Sequence, residues 1–172
     1  MKRLSPIALV LALAAAACSS SSTPTNPSPT NPTFTATLSP ANEVPPITNA
    51  DSTVSGTASI TLVVTRDAGG NVTAATATFV VNLTGFPAGS SVNIAHIHEG
   101  ASTCACPVVV NTSLGAGEVT ISNGQASFTK AGINVDPAVA QRILNNPAGF
   151  YFNVHTTLNA GGVARGQLSR VS

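Results

Sequence analysis

Charged and aromatic side chains are scarce in this sequence. Lys and Arg number seven and Asp and Glu number six in 172 residues, which gives a formal net charge of +1, and Trp is absent. A nucleic-acid-binding domain normally carries a basic patch, so the composition excludes nucleic acid as a partner. Disorder driven by net charge is excluded for the bulk of the chain as well. The length suits one ordinary domain.

Motifs of the common enzyme classes are also missing. The sequence has no nucleophile motif, no phosphate-binding loop and no dinucleotide fingerprint. Carboxylates are so few that no hydrolytic pair stands out. These absences favour a protein that is not an enzyme.

The N-terminus has the layout of an export signal. Lys2 and Arg3 precede an apolar run over residues 4–17, and three alanines come directly before Cys18. The pattern predicts a signal peptide over residues 1–17. A cysteine directly after small residues resembles a bacterial lipoprotein signal, which implies that Cys18 becomes the first residue and carries the lipid. The alternative is an ordinary secretory signal that is cut at the same place.

A Ser/Thr/Pro/Asn-rich segment follows at residues 18–32. It has no large apolar side chain and no charge, so it cannot bury enough surface to offset chain entropy. We expect a disordered tether that holds a domain away from a membrane. The lipid would then be the only membrane contact. The non-acidic Ser19 fits the lipoproteins that are sorted to the outer membrane, so the outer membrane or cell surface is the expected location.

The remaining residues, 33–172, form one predicted domain. Its apolar residues alternate with polar ones over many short runs, which is typical of half-buried strands. Asp136 followed by Pro137 predicts the start of one short helix near residues 136–146. The pattern predicts an all-β fold, an antiparallel Greek-key sandwich or barrel. We expect strands in these runs: residues 34–38, 56–65, 72–83, 92–98, 108–110, 119–121, 125–128, 149–155 and 163–171.

All three histidines lie in predicted strands. His96 and His98 are two residues apart, so their side chains point to the same face of one strand. With His155 from another strand, they would form a metal half-site. The alternative is that these are partly buried histidines that hydrogen-bond to one another or to the backbone.

Three further residues are candidate site residues. Cys104 and Cys106 lie close together in an exported chain, where such a pair is usually oxidised; a disulfide between them requires a turn at Ala105. The alternatives are a soft-metal thiolate pair and free thiols. Arg165 is flanked by glycines, so it could face an anion or act as a structural hydrogen-bond donor.

The sequence resembles the CHRD domain, a module named after its repeats in chordin. The resembling segments occur in the family's order: residues 36–46 (ATLSPANEVPP), 56–58 (GTA), 95–100 (AHIHEG), 107–110 (PVVV), 151–156 (YFNVHT) and 159–168 (NAGGVARGQL). The resemblance implies an exported or lipid-anchored single domain. It implies no enzymatic activity, because the family has none established.

A second resemblance is to copper–zinc superoxide dismutase. It covers residues 96–99 (HIHE), 154–155 (VH) and 159–165 (NAGGVAR). It implies that His96, His98 and His155 hold copper and that Arg165 guides an anion. The chain has three histidines in all, so it lacks the bridging and zinc-binding histidines of that enzyme. A zinc site and efficient dismutation are therefore not expected.

Two functional hypotheses follow. The first is a non-enzymatic binding or structural module of the cell envelope, with an unknown protein or small ligand as its partner. The alternative is a copper-binding sandwich that uses the three histidines. The distance between His155 and the other two distinguishes them, because a metal site needs all three side chains on one face.

Overall fold

A computed structural model gives the structure of the chain, and it describes residues 31–101 and 103–171. The predicted signal peptide, the lipidated Cys18 and the tether up to residue 30 lie outside the described residues.

The described residues form two antiparallel sheets. The first has the strand order β6-β3-β2-β1-β9 and the second has the order β5-β4-β7-β8. Within residues 31–101 and 103–171 the sheets do not close into a barrel, so the predicted all-β fold is confirmed as a sandwich. The strands are β1 (Thr33–Leu38), β2 (Ser55–Arg66), β3 (Val72–Thr84), β4 (Val92–Glu99), β5 (Val108–Asn111), β6 (Ala126–Val135), β7 (Phe150–Thr156), β8 (Ala164–Gln167) and β9 (Ser169–Arg170).

The core lies between the two sheets and follows the alternation of the sequence. In β2, Ile60 and Leu62 are buried while their neighbours are less so. The rings of Phe79 in β3 and Phe152 in β7 stack with centroids 5.7 Å apart and join the sheets. Burying side chains of this size contributes about 1.5–3 kcal/mol each.

The predicted helix is present as α1 (Pro137–Asn145). The side chain of Asp136 accepts hydrogen bonds from the backbone N–H groups of Ala138 and Val139, which have no partner inside the helix. Val139 and Ile143 turn into the core. The sequence signals for the start of this helix are therefore confirmed.

The predicted hairpin across residues 119–128 is only partly present. Asn123 and Gly124 have the positive φ angles, 51° and 72°, that a type I′ turn requires, and Ser122 and Gln125 form the bridge that closes it. Residues 119–121 form no strand. Val119 instead buries its side chain in the core, so its apolar character serves packing and not strand pairing.

The predicted closing strand over residues 163–171 is divided between the sheets. β8 pairs with β7 in the second sheet, whereas β9 pairs with β1 in the first. The chain changes sheets at Leu168, which is buried. Alternation marks buried residues, but it does not show which sheet a strand joins.

Candidate metal centre

The two histidines of β4 lie on the outer face of the second sheet. Ala95 and Ile97, which alternate with them, are buried in the core between the sheets. His96 and His98 therefore point away from that core. Their rings are 5.6 Å apart, centroid to centroid.

Strand β7 brings the third histidine to the same face. β4 and β7 pair so that Ile94 lies opposite His155, one diagonal step from His96. His96 Nδ1 is 3.3 Å from His155 Nε2. One potential ligand atom from each of His96, His98 and His155 lies within 4.8 Å of the others. The spatial condition for a metal site is met.

Backbone carbonyl groups fix the tautomers of two of the imidazoles. His98 Nδ1 donates a hydrogen bond of 2.7 Å to the carbonyl oxygen of Cys106. His155 Nδ1 donates one of 2.9 Å to the carbonyl oxygen of Ala160. A carbonyl only accepts, so in the neutral rings each proton is on Nδ1 and each lone pair is on Nε2. Backbone carbonyls typically orient metal-ligating histidines in this way.

The Nε2 atom of His98 is a buried acceptor without a partner. It makes no hydrogen bond with any described residue. Buried polar atoms are usually paired, because desolvation without a partner costs about 1–3 kcal/mol. A metal ion is one group that would satisfy this lone pair.

His96 Nδ1 holds a proton when the site contains no metal. His155 Nε2 is an acceptor in the tautomer described above, so His96 Nδ1 must donate in the 3.3 Å hydrogen bond. An ion bound between these two nitrogens would replace that proton. His96 would then carry its proton on Nε2, which leaves Nδ1 as the ligand.

The site keeps its imidazoles neutral. The pKa of His96 is lowered to about 4, mainly by burial and, to a lesser extent, by the neighbouring His155 and His98. Burial also lowers the pKa of His98 and of His155, against the raising effect of their backbone hydrogen bonds. Neutral imidazole is the form that binds metals, so protons compete little at neutral pH.

The distance between the nitrogens of His96 and His155 is close to the distance between two nitrogen ligands on one metal ion. Nitrogen ligands lie about 2.0–2.1 Å from zinc, so two of them on a tetrahedral ion are roughly 3.4 Å apart. The His96–His155 pair already has this spacing. His98 completes a set of three nitrogens that lie within 4.8 Å of one another.

Arg165 lies beside the histidines and is almost fully buried. Its side chain donates to the carbonyl oxygens of Asn42 and Cys104. The guanidinium carbon is 4.6 Å from the centroid of the Tyr151 ring, which stacks on His98 at 4.7 Å. These contacts are those of the structural hydrogen-bond donor considered as the alternative for Arg165. Its role toward an anion stays a prediction.

Cys104 and Cys106 form a disulfide in the structure, with Cα atoms 5.3 Å apart. Of the alternatives that the sequence leaves open, the structure contains this one. The carbonyl oxygen of Cys106 is the group that holds His98. The disulfide is therefore part of the surroundings of the metal centre.

A small cavity of about 90 Å³ adjoins His98. Glu43 and Asn153 line it, and each has a buried oxygen, Oε1 and Oδ1, without a hydrogen-bond partner among the described residues. Gly161 and Arg165 line it as well. The cavity therefore places unpaired carboxyl and amide oxygens next to His98.

Burial raises the pKa of Glu43 to about 7, although Arg165 and Asn153 act against this rise. Glu43 Oε2 is 3.9 Å from Arg165 Nε. Sequence reasoning did not single out Glu43, Asn153 or Tyr151 as site residues. The available signal was their position in two of the segments that carry the first resemblance.

The fold and site define a class of protein: an antiparallel β-sandwich with a histidine cluster on the outer face of one sheet. The sequence model of the CHRD domain matches residues 34–168, and the chain belongs to this family. No curated protein and no solved structure matches the chain. Among the described residues, α1 and the other helical segments are all too short to cross a membrane.

Proposed function

We propose that this chain is an exported, lipid-anchored CHRD-domain protein that binds a copper ion through His96, His98 and His155, without turning over a substrate. The observation that carries the proposal is the convergence of the three ring nitrogens within 4.8 Å. The sequence ranks a general envelope binding module first and copper binding second. The convergent histidines favour the copper alternative. The two hypotheses are compatible, because a copper ion could be what the envelope binding module binds.

The donor set supports copper. Three neutral imidazoles suit zinc, copper, iron and nickel, and copper(II) has the highest affinity among these divalent ions for a given set of ligands. Two of the rings are already held by carbonyl groups with their lone pairs at Nε2. This preorganisation lowers the entropic cost of binding.

Turnover is not part of the proposal. A three-nitrogen set leaves one position of a tetrahedral ion open, as in catalytic metal sites. However, the chain contains no fourth histidine for a second, bridged metal. Storage, buffering or delivery of copper at the cell envelope needs only reversible binding.

Copper titration of the purified full chain, without a histidine tag, tests the metal site. We expect about one copper(II) ion per chain, and we expect the His96→Ala/His155→Ala variant to lose it. The Lys130→Gln variant is the matched control, because Lys130 forms an ion pair with Glu118 and is not a member of the cluster. A wild-type protein that stays metal-free would refute the proposal, and uptake of zinc alone would refute the choice of copper.

The proposed export and lipid anchoring depend on residues 1–32. Cys18→Ser removes the thiol to which the lipid would be attached at the predicted cleavage site. We expect the wild-type chain in the membrane fraction and the variant in the soluble exported fraction. Equal distribution of both chains would contradict lipid anchoring without bearing on the metal site.

A further inference from the structure

The disulfide turn, residues 104–106, contacts the metal centre directly. The carbonyl oxygen of Cys106 accepts the hydrogen bond from His98 Nδ1. Tyr151, whose ring stacks on His98, accepts from the N–H of Cys106 and donates to the carbonyl oxygen of Cys104. The turn therefore accepts the hydrogen bond from His98 and also hydrogen-bonds to Tyr151, whose ring packs against His98.

The disulfide packs closely against the backbone at Gly100. Both sulfur atoms pack over Gly100, where an added Cβ would lie 2.2 Å from Cys106 Sγ and 2.5 Å from Cys104 Sγ. Arg165 Nη1 donates a 2.7 Å hydrogen bond to the carbonyl oxygen of Cys104. A rearrangement of this turn that displaces Cys106 would move the carbonyl group on which the orientation of His98 depends.

The disulfide is also accessible from solvent. Cys104 and Cys106 are partly exposed, and Ala105 between them is exposed. In exported proteins, disulfides that a reductant can reach are open to thiol–disulfide exchange. His98, by contrast, is only 8% exposed. A reductant would therefore reach the disulfide turn, whereas the side chain of His98 remains buried.

We propose that the Cys104–Cys106 disulfide is a redox control of the metal centre, so that its reduction weakens metal binding at His98. This inference rests on the proposed function. A dithiol reductant gives two electrons and two protons and becomes a disulfide. The bond between the two sulfur atoms breaks, and each sulfur takes one electron and one proton to become a thiol.

The loss of affinity follows from the tautomer of His98. With the Cys106 carbonyl in place, the ring presents its lone pair at Nε2. Once the turn is released, the ring can rotate and its proton can occupy either nitrogen. Loss of such an orienting partner typically lowers metal affinity about 10–100-fold. His155 is held by Ala160 and is independent of the turn.

The first measurement compares copper(II) affinity between variants, because a reductant would itself bind or reduce copper. All chains carry Cys18→Ser so that no other cysteine is present. Cys104→Ser/Cys106→Ser imitates the reduced turn. Ala105→Ser changes the same turn but keeps the disulfide. We expect at least about tenfold weaker binding in the double variant and wild-type affinity in the control. Equal affinities in all chains would overturn the proposal.

The second measurement needs no metal. Nitrogen-15 NMR of the metal-free protein reports which ring nitrogen carries the proton, before and after reduction by dithiothreitol. We expect His98 to change from a pure Nδ1–H form to a mixture, while His155 keeps its Nδ1–H form as an internal control. An unchanged His98 after complete reduction would overturn the proposal. A wild-type protein that binds no copper but shows the change at His98 would instead refute the proposed function.

Discussion

Backbone carbonyl groups determine which ring nitrogen of two of the histidines can bind a metal ion. The lone pairs of His98 and His155 are on Nε2 because both Nδ1 atoms donate to backbone oxygens. The sequence shows three histidines in strand patterns, but the carbonyl partners come from loops outside those strands. Cys106 and Ala160 could not be predicted as orienting residues, because the conformation of their loops depends on tertiary contacts.

Gly162 shows at the residue scale how closely the loops pack over the site. Its φ is +132°, and an added Cβ would lie 2.4 Å from Asn153 Nδ2 and 2.8 Å from Glu43 Oε1. We expect Gly162→Ala to lower the free energy of unfolding by about 1–3 kcal/mol, because it combines a strained backbone with a steric conflict. Urea unfolding measures this change.

Gly161→Ala is the matched control for that variant. An added Cβ at Gly161 meets nothing within 4 Å. We expect the stability of this variant to stay within about 0.5 kcal/mol of wild type. Equal losses for the two alanine variants would show that Gly162 is not required for the packing of Asn153 and Glu43.

At the scale of the element, the start of α1 depends on the N-cap residue Asp136. Asp136 caps two backbone N–H groups at 2.8 and 3.1 Å. We expect Asp136→Ala to lower the free energy of unfolding by about 0.5–2 kcal/mol. Asp136→Asn keeps an acceptor oxygen and should cost much less. Thermal unfolding of the two variants measures the difference, and a similar loss in both would contradict the cap.

The strands show which part of the fold the sequence specifies. Alternation over β2 and β3 predicts both strands to within one or two residues, because one face is buried and the other is not. In β7 every residue is buried, including those on its outer face. The sequence therefore places His155 in a strand but gives no indication that its face is enclosed.

At the scale of the whole molecule, the buried histidines and Glu43 make opposite contributions to acid stability. Burial lowers the pKa of His96 to about 4 and also lowers the pKa of His98 and His155. The unfolded chain binds protons at these groups as the pH falls below about 6.5, before the folded chain does. The histidines therefore make the metal-free protein less stable as the pH falls from 7 toward 4.

Glu43 acts in the other direction, because burial raises its pKa to about 7 in the folded chain. Between about pH 7 and pH 4.5 the folded chain gains a proton that the unfolded chain does not, which stabilises it as the pH falls. We expect Glu43→Gln to remove this contribution. The loss of unfolding free energy between pH 7 and pH 5 should then be steeper than in wild type.

Urea unfolding of the metal-free protein at several pH values measures this slope. Glu118→Gln serves as the control, because Glu118 is exposed and forms a surface ion pair with Lys130. We expect its slope to match wild type. A Glu43→Gln slope equal to or shallower than wild type would contradict the raised pKa of Glu43.

The sequence predicts the fold class more completely than it predicts the site. The confirmed parts, the CHRD family and the sandwich with one short helix, depend on local patterns and on segments in a fixed order. The division of residues 163–171 between two sheets could not be predicted, because the alternation is the same in both. The same holds for the cavity at Glu43, which forms only where distant loops meet.

A crystal structure of the copper-loaded protein tests the metal centre most directly. We predict one copper ion bound by His96 Nδ1, His98 Nε2 and His155 Nε2, at about the 2.0–2.1 Å known for zinc–nitrogen bonds. The ion should take the place of the hydrogen bond between His96 and His155. The carbonyl contacts of His98 and His155 should remain. Copper bound elsewhere, with the His96–His155 hydrogen bond intact, would contradict the account.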